Sequence, residues 1–220
     1  MVGGRSLASR RTAAIILGCT STRVTAHTYC VLGIDPAAAG ATGFGVVERD
    51  GNRCRMLRLG ALRPLKPLSV AANSHLCHIH RLITKLIQEF QPRAVALESV
   101  FAALNVKAAL RLAEVRGVVL LAAAQAGVPA FSYSPREVKA TVAGYGHAGK
   151  EQVQQMVRAL LSMTETPEPA DAADALAVAL CHIQIAEGKE RLGASVTSKS
   201  AARTRGRGNR ESPPGILSVP

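Results

Sequence analysis

An α/β layered fold follows from three features of the sequence. Short strand-like runs recur at 30–35, 44–48, 53–62, 94–98 and 130–133; segments with apolar residues every three or four positions lie between and after them; and Asp-Gly, Pro and Gly mark the boundaries. The order is a meander of strands, then helix, strand, helix, strand and further helices, as in a sheet with helices packed on it.

The first strand, Cys30 to Asp35, is an apolar run closed by an acid. Phe44 to Glu48 and Arg53 to Leu62 follow, with Asp50-Gly51 between them as a hairpin signal. Ala72, Leu76, Ile79, Ile83, Leu86 and Phe90 then repeat at helical spacing, a helix laying one face on the sheet, and Pro92 stops it. Ala94 to Glu98 is apolar up to its last residue, as in a strand buried on both faces. A second helix is expected from about Leu104 to Ala126, with Leu110, Ala113, Gly117, Leu121 and Ala124 on its inner stripe and Gly127 as its stop. Ala130 to Tyr133 is the next strand. Ser134-Pro135-Arg136-Glu137 has the form of a capping box with Pro at the first helical position, and Gly144 and Gly146 interrupt that helix. Helices at about Lys150 to Leu161 and Ala170 to Ala186 complete the pattern.

The 220 residues carry 27 Lys and Arg against 15 Asp and Glu, a formal net charge of +12. Four arginines and no acid fall in residues 1–34, and seven bases against two acids in 188–220, leaving sixteen against thirteen between. Basic ends of this kind hold nucleic-acid phosphates or are merely solvated. The chain therefore divides into a basic N-terminal extension, 1–28, expected to be disordered; a globular domain, 29–187; and a basic disordered tail, 188–220, containing Arg203, Arg205, Arg207, Arg210 and Pro213-Pro214. The extension has the composition of a transit peptide, a DNA-binding arm or a misassigned start. Its apolar stretch, Ala13 to Gly18, is far shorter than the roughly 20 residues that a bilayer needs. Five cysteines form no C-x-x-C pair, as expected of reduced thiols in a cytoplasmic protein.

Acids are scarce, and four of them stand in apolar surroundings: Asp35 and Glu98 at the ends of strands, Asp171 and Asp174 in an alanine-rich helix. A strand-end carboxylate after an apolar run is costly to desolvate unless it is partnered. Each has a bland reading. Asp35 can cap the turn before Pro36, Glu98 can pair with Lys107 or Arg111, and Asp171 with Asp174 can cap a helix N-terminus. Together they are more specific, because carboxylates brought together repel unless a cation lies between them. Hard oxygen ligands select Mg²⁺ or Mn²⁺ over zinc. Two such ions roughly 4 Å apart activate a water and stabilise the leaving oxygen of a phosphodiester.

Five segments carry a resemblance: Cys30-Val31-Leu32-Gly33-Ile34-Asp35-Pro36, Ala96-Leu97-Glu98-Ser99-Val100-Phe101, Lys139-Ala140-Thr141-Val142-Ala143-Gly144-Tyr145-Gly146, Lys150-Glu151-Gln152-Val153-Gln154 and Asp171-Ala172-Ala173-Asp174-Ala175-Leu176-Ala177. In this order, over roughly residues 30 to 187, the chain resembles the RuvC Holliday-junction resolvases. The resemblance implies an RNase H-like fold with a central five-stranded mixed β-sheet flanked by helices, spanning 29–187. It implies a homodimer that places paired, symmetric nicks in a four-way DNA junction during recombination and repair in the bacterial cytoplasm, and that cooperates with the RuvAB branch-migration complex. By motif position, Asp35, Glu98, Asp171 and Asp174 are the catalytic, metal-binding acids. They would hold Mg²⁺, two per subunit, with Mn²⁺ as a substitute.

DNA contacts are expected at Phe101, Lys107, Arg111, Lys139 and Lys150. Lys139 and Lys150 match family DNA-contacting lysines, whereas Glu151 offsetting the Lys150 charge is the bland alternative. Phe101 is one of seven aromatics in the chain and is either a wedge at the junction centre or core packing. Lys107 and Arg111 lie one turn apart on a polar face, and bind backbone or are solvated. After Asp35 the chain reads Pro36-Ala37-Ala38-Ala39-Gly40-Ala41-Thr42-Gly43, one residue longer than the family's Asp-Pro-Gly loop and without its Arg. A junction-binding protein with impaired catalysis, or a related nuclease on branched or hybrid substrates, is the competing reading.

Other motifs weigh less. His75, Cys77, His78 and His80 do not share one helix face and have no second ligand pair, which argues against zinc. His147 lies between Gly146 and Gly149, as an assistant in proton transfer or a solvated loop residue. The Gly-Ile-Asp start also occurs in actin-like ATPases, which need two such domains. Deletion of residues 1 to 28 is expected to leave folding intact; a large fall in melting temperature would show that they pack on the domain.

Overall fold

The computed structural model describes residues 28–38, 40–63, 68–99 and 106–205. Three strands, β1 (Tyr29–Asp35), β2 (Thr42–Asp50) and β3 (Arg53–Leu62), form an antiparallel meander. The Asp50-Gly51 signal falls at a two-residue turn, Gly51-Asn52, with Gly51 in the left-handed region at φ 56. Helix α1 (Leu68–Phe90) leads to β4 (Ala94–Glu98), α2 (Val106–Gln125) and β5 (Ala130–Tyr133); α3 (Pro135–Ala143), α4 (Lys150–Leu160) and α5 (Ala170–Arg205) follow. The sheet runs β3-β2-β1-β4-β5, with β1, β4 and β5 parallel. It is the expected five-stranded mixed sheet. A bulge between Val46 and Val47 lets β3 shift register against β2, a feature that alternation alone does not signal.

Strand alternation divides the core in two. Leu32, Ile34, Val46, Val95 and Leu97 face α1 and α2, meeting Ile79, Ile83, Val115 and Val119. Val31, Val47 and Ala96 face the other way, toward α3, α4 and α5, meeting Val157, Leu176, Leu180 and Ile183. By the same alternation Gly33 and Asp35 on β1, and Glu98 on β4, belong to the α5 side.

Helix α5 lies unusually close to the sheet there. A Cβ on Gly33 would collide with the Ala175 carbonyl oxygen, and one on Gly43 with the Asp171 carbonyl group. These two positions accept no side chain while α5 keeps its place, and the helix meets them with alanines: Ala172, Ala175 and Ala179 are fully buried.

The capping box at α3 is present in full. Ser134 Oγ accepts from the Glu137 N–H, and a Glu137 carboxylate oxygen accepts from the Ser134 N–H at 2.7 Å. Two expectations need correction. The inner stripe of α2 is Leu112, Val115, Val119, Ala122 and Ala123, whereas Leu110, Ala113, Gly117, Leu121 and Ala124 are exposed. The helix is apolar nearly all round, so periodicity did not single out its buried face. The last helix does not stop near Ala186 but continues to Arg205, so 188–205 are helical rather than disordered. No proline interrupts the chain before Pro213, and Ala, Lys, Glu, Arg and Leu favour helix. Residues 206–220, the extension 1–27 and Phe101 lie outside the described residues.

Gly33→Val and Gly43→Val are each expected to destabilise the domain by about 2 kcal/mol or more, because α5 must lift off the sheet. Urea unfolding measures it; a loss under about 0.5 kcal/mol, the range of a neutral surface change, would show that the close approach is not required.

Candidate active site

The two strand-end acids are brought together by parallel pairing. Ile34 on β1 pairs with Leu97 on β4, so Asp35 and Glu98 follow as neighbours at the same end of the sheet and on its α5 face. Asp35 also pairs with Gly43 on β2, and Gly43 is the residue whose missing Cβ makes room for the Asp171 backbone. One short path of contacts therefore links β1, β2 and the first turn of α5. Asp174 lies one turn further along that helix, so all four acids predicted from the sequence converge from three elements.

Their electrostatics confirm how close they are. Burial pushes the Asp35 carboxyl up to about 8; next come a hydrogen bond with Glu98 and its charge, then Asp174 and Asp171. Glu98 is raised too, first by burial and also by Asp174, while the hydrogen bond with Asp35 and the positive charges of Lys139 and Lys150 oppose the rise. Asp35 and Glu98 thus form one acid pair that holds a proton between two oxygens. Asp174 is satisfied differently: its Oδ2 accepts from Lys150 Nζ at 2.7 Å, and that bond raises the Lys150 pKa.

Of the bland readings, none accounts for these contacts. Glu98 turns to Asp35 rather than to Lys107 or Arg111, and Lys150 turns to Asp174 rather than to Glu151. Four carboxylates with no imidazole or thiol among them are the donor set of a hard divalent cation. Among the described residues no three His, Cys, Asp or Glu side chains are yet grouped closely enough to hold a metal ion. Instead a hydrogen bond joins Asp35 with Glu98, and the Lys150 ammonium group holds Asp174.

The predicted DNA contacts separate into two groups. Lys139 on α3 and Lys150 at the start of α4 border the acids, since both act electrostatically on Glu98. Lys107 is exposed and Arg111 half-buried in the first turns of α2, and among the described residues neither forms an ion pair with the acids. His147 stacks loosely with Tyr145, their ring centroids 5.5 Å apart. His80 is bonded to Gln125 at 2.9 Å, away from the other histidines.

One contact was missed. Arg116, in the middle of α2, donates from Nη1 to the Glu98 carbonyl oxygen at 2.8 Å and from Nη2 to Ser132 Oγ at 3.0 Å. The available signal was an arginine set into the apolar run Val115-Arg116-Gly117-Val118-Val119. A second pin, Tyr133 Oη to His182 Nδ1 at 2.7 Å, ties β5 to α5 beneath the site.

A family model described as Crossover junction endodeoxyribonuclease RuvC matches residues 31–182. A curated relative of that name from Chloroflexus aggregans is 45% identical over 164 residues, covering 74% of this chain and 98% of its own length. Another, from Desulfitobacterium hafniense, is 43% identical over 166 residues, covering 76% and 99%. Among solved structures, T. thermophilus RuvC in complex with Holliday junction substrate superposes with a TM-score of 0.67 at 38% identity, over 72% of this chain and 94% of that one. A yeast mitochondrial Holliday junction resolvase superposes with a TM-score of 0.51 at 13% identity, a likeness of fold alone.

The shared proton predicts a pH dependence with a definite sign. Between the ordinary Asp value of 3.8 and about 8, the folded metal-free protein retains a proton that the unfolded chain has lost. Stability from this pair is therefore present below the lower value and is lost as pH rises through the upper one. In EDTA the wild type is expected to lose more melting temperature than Asp35→Asn between about pH 5 and about pH 8. A wild-type slope equal to or shallower than that of Asp35→Asn would contradict it.

Proposed function

We propose a catalytic reading from one premise: this chain belongs to the RuvC family of crossover junction endodeoxyribonucleases. It is a metal-dependent nuclease that resolves Holliday junctions in recombination and repair. Beyond that, we assign catalysis and metal binding to Asp35, Glu98, Asp171 and Asp174. The observation that carries the assignment is their convergence, from two strand ends and one helix, on a site bordered by Lys139 and Lys150.

With Asp35 and Glu98 deprotonated to solvent, the four acids would hold magnesium, two ions per subunit, with manganese as a substitute. When bound, these ions supply a lowered pKa for the attacking water and charge neutralisation at the leaving oxygen. Asp174 releases Lys150, whose ammonium group is then free for a phosphate oxygen of the cut strand. Lys139 adds a second positive charge on the same side. Burial of Asp35 keeps bulk water from competing at its carboxylate. Lys107, Arg111 and Phe101 are assigned to further contacts with the junction.

Two symmetric nicks need two such sites, and we assign the protein to a homodimer. Support comes from α2, whose outer face exposes Val106 at 76%, Leu110 at 62% and Leu121 at 52%. Family membership also carries the proposal that it works with the RuvAB branch-migration complex. No described helix is long and apolar enough to cross a membrane, in keeping with a cytoplasmic setting for DNA work.

Incubation with a synthetic four-way junction and Mg²⁺ is expected to give paired nicks. Asp35→Asn and Asp174→Asn should each lower the cleavage rate by about 100-fold or more while junction binding in EDTA persists. Full activity in either variant would refute its role; binding without cleavage in the wild type under any divalent ion would select a junction-binding protein instead. Leu110→Glu with Leu121→Glu is expected to sediment as a monomer and to lose paired nicking. A dimer in that variant would exclude this face.

A further inference from the structure

Arg116 occupies an unusual position for an arginine. It sits midway along a helix whose neighbouring residues Val115 and Val119 are in the core, and it is itself half-buried. No carboxylate pairs with it among the described residues. Its two Nη groups are instead divided between two strands. Nη1 donates to the carbonyl oxygen of Glu98, the last residue of β4, and Nη2 to the hydroxyl of Ser132 on β5. Beyond the parallel β4–β5 pairing, which reaches Leu97–Ser132 and Glu98–Tyr133, the Ser99 N–H donates to the Tyr133 carbonyl at 2.7 Å.

A guanidinium holds two acceptors in a fixed plane, and a charge-assisted bond to a carbonyl is stronger than a neutral one. The residue so fixed is not an arbitrary strand end. Glu98 must bring its carboxylate against Asp35 across the β1–β4 pair, and shifts of about 0.5 Å matter at such a site. The clamp grips the backbone from the α2 side of the sheet, leaving the Glu98 carboxylate to meet Asp35 on the α5 side. Lys139, Lys150 and the acids, not Arg116, are the charges acting on that carboxylate.

We infer that Arg116 is a positioning residue for the nuclease reaction: it fixes the end of β4 so that the Glu98 carboxylate is held in the geometry for metal binding, without touching DNA, metal or the reacting atoms. The inference rests on the catalytic reading of Glu98. It makes Arg116 necessary for its shape rather than for its charge.

The test uses the full-length protein, a synthetic four-way junction and Mg²⁺ titrations of single-turnover cleavage. Arg116→Met is expected to raise the Mg²⁺ concentration for half-maximal cleavage several-fold and to lower the saturated rate about tenfold, while junction affinity in EDTA stays within twofold. Arg116→Lys, which keeps the charge and loses the fork, should remain close to Arg116→Met rather than to wild type. Ser132→Ala releases only the second tie and keeps the test open should Arg116→Met fold poorly; it should shift the Mg²⁺ midpoint in the same direction by less. Full rescue by Arg116→Lys, an unchanged Mg²⁺ midpoint in both Arg116→Met and Ser132→Ala, or a loss of junction affinity matching the loss of rate would each overturn the inference. Glu98→Gln separates the two levels. If it cleaves normally, the reading of Glu98 fails and the clamp has no catalytic object; if it is inactive while Arg116→Met behaves as wild type, only the role of Arg116 fails.

Discussion

Backbone contact between α5 and the first two strands is the constraint on which the catalytic end depends. A helix resting on ordinary side chains stands about 10 Å from its neighbour. At that separation, short Asp side chains on a helix and a strand could not share a site. Gly33 and Gly43 remove the spacer from the sheet, and Ala172, Ala175 and Ala179 remove it from the helix. The alanine-rich stretch is thus half of a steric fit whose other half is two glycines far away in sequence. Asp171 and Asp174 come near enough to act electrostatically on Asp35 because nothing larger intervenes.

That proximity creates an electrostatic problem, and the protein has two visible answers to it. Placing four acids in a partly dry cleft is unfavourable by several times the repulsion they would feel in water. A proton retained between Asp35 and Glu98 deletes one charge, and the Lys150 ammonium at Asp174 balances another. Both answers are reversible. A proton and a flexible lysine can leave when a dication arrives, whereas an arginine fork or a buried hydrophobic patch would close the site permanently. On the proposed assignment metal affinity would compete with protonation, and the released lysine would meet a backbone phosphate.

Much of this was legible in the chain, for identifiable reasons. Strands with strict patterns and strong punctuation were located to within a residue or two: the Asp50-Gly51 turn, the run Ala94 to Glu98, and the Ser134 to Glu137 cap each have one physical meaning. The four acids stood out because carboxylates at the ends of apolar runs are anomalous. Less legible was anything that depends on contact between distant elements. The carboxyl pair, the Lys150–Asp174 bond and the Gly33 and Gly43 contacts with α5 are set by register and packing, and no local pattern encodes them. The last helix runs further than expected because helix-forming residues beyond Ala186 meet no proline before Pro213, and a basic composition does not by itself distinguish helix from disorder.

The misassigned face of α2 is the most informative of these differences. Two apolar stripes run along that helix; the expected one, through Leu110 and Leu121, points outward, and Leu112, Val115 and Val119 point in. A helix of a free-standing monomer has no reason to keep both. On the proposed dimer the outer stripe is covered by its counterpart, and the same helix carries Arg116 inward to the end of β4. Paired nicks require two sites at a fixed separation, and in that dimer a helix at the symmetric contact that also grips the Glu98 strand end would set that separation and the local geometry with one rigid element. The surface that made the sequence ambiguous is then the surface through which each site is referred to the other.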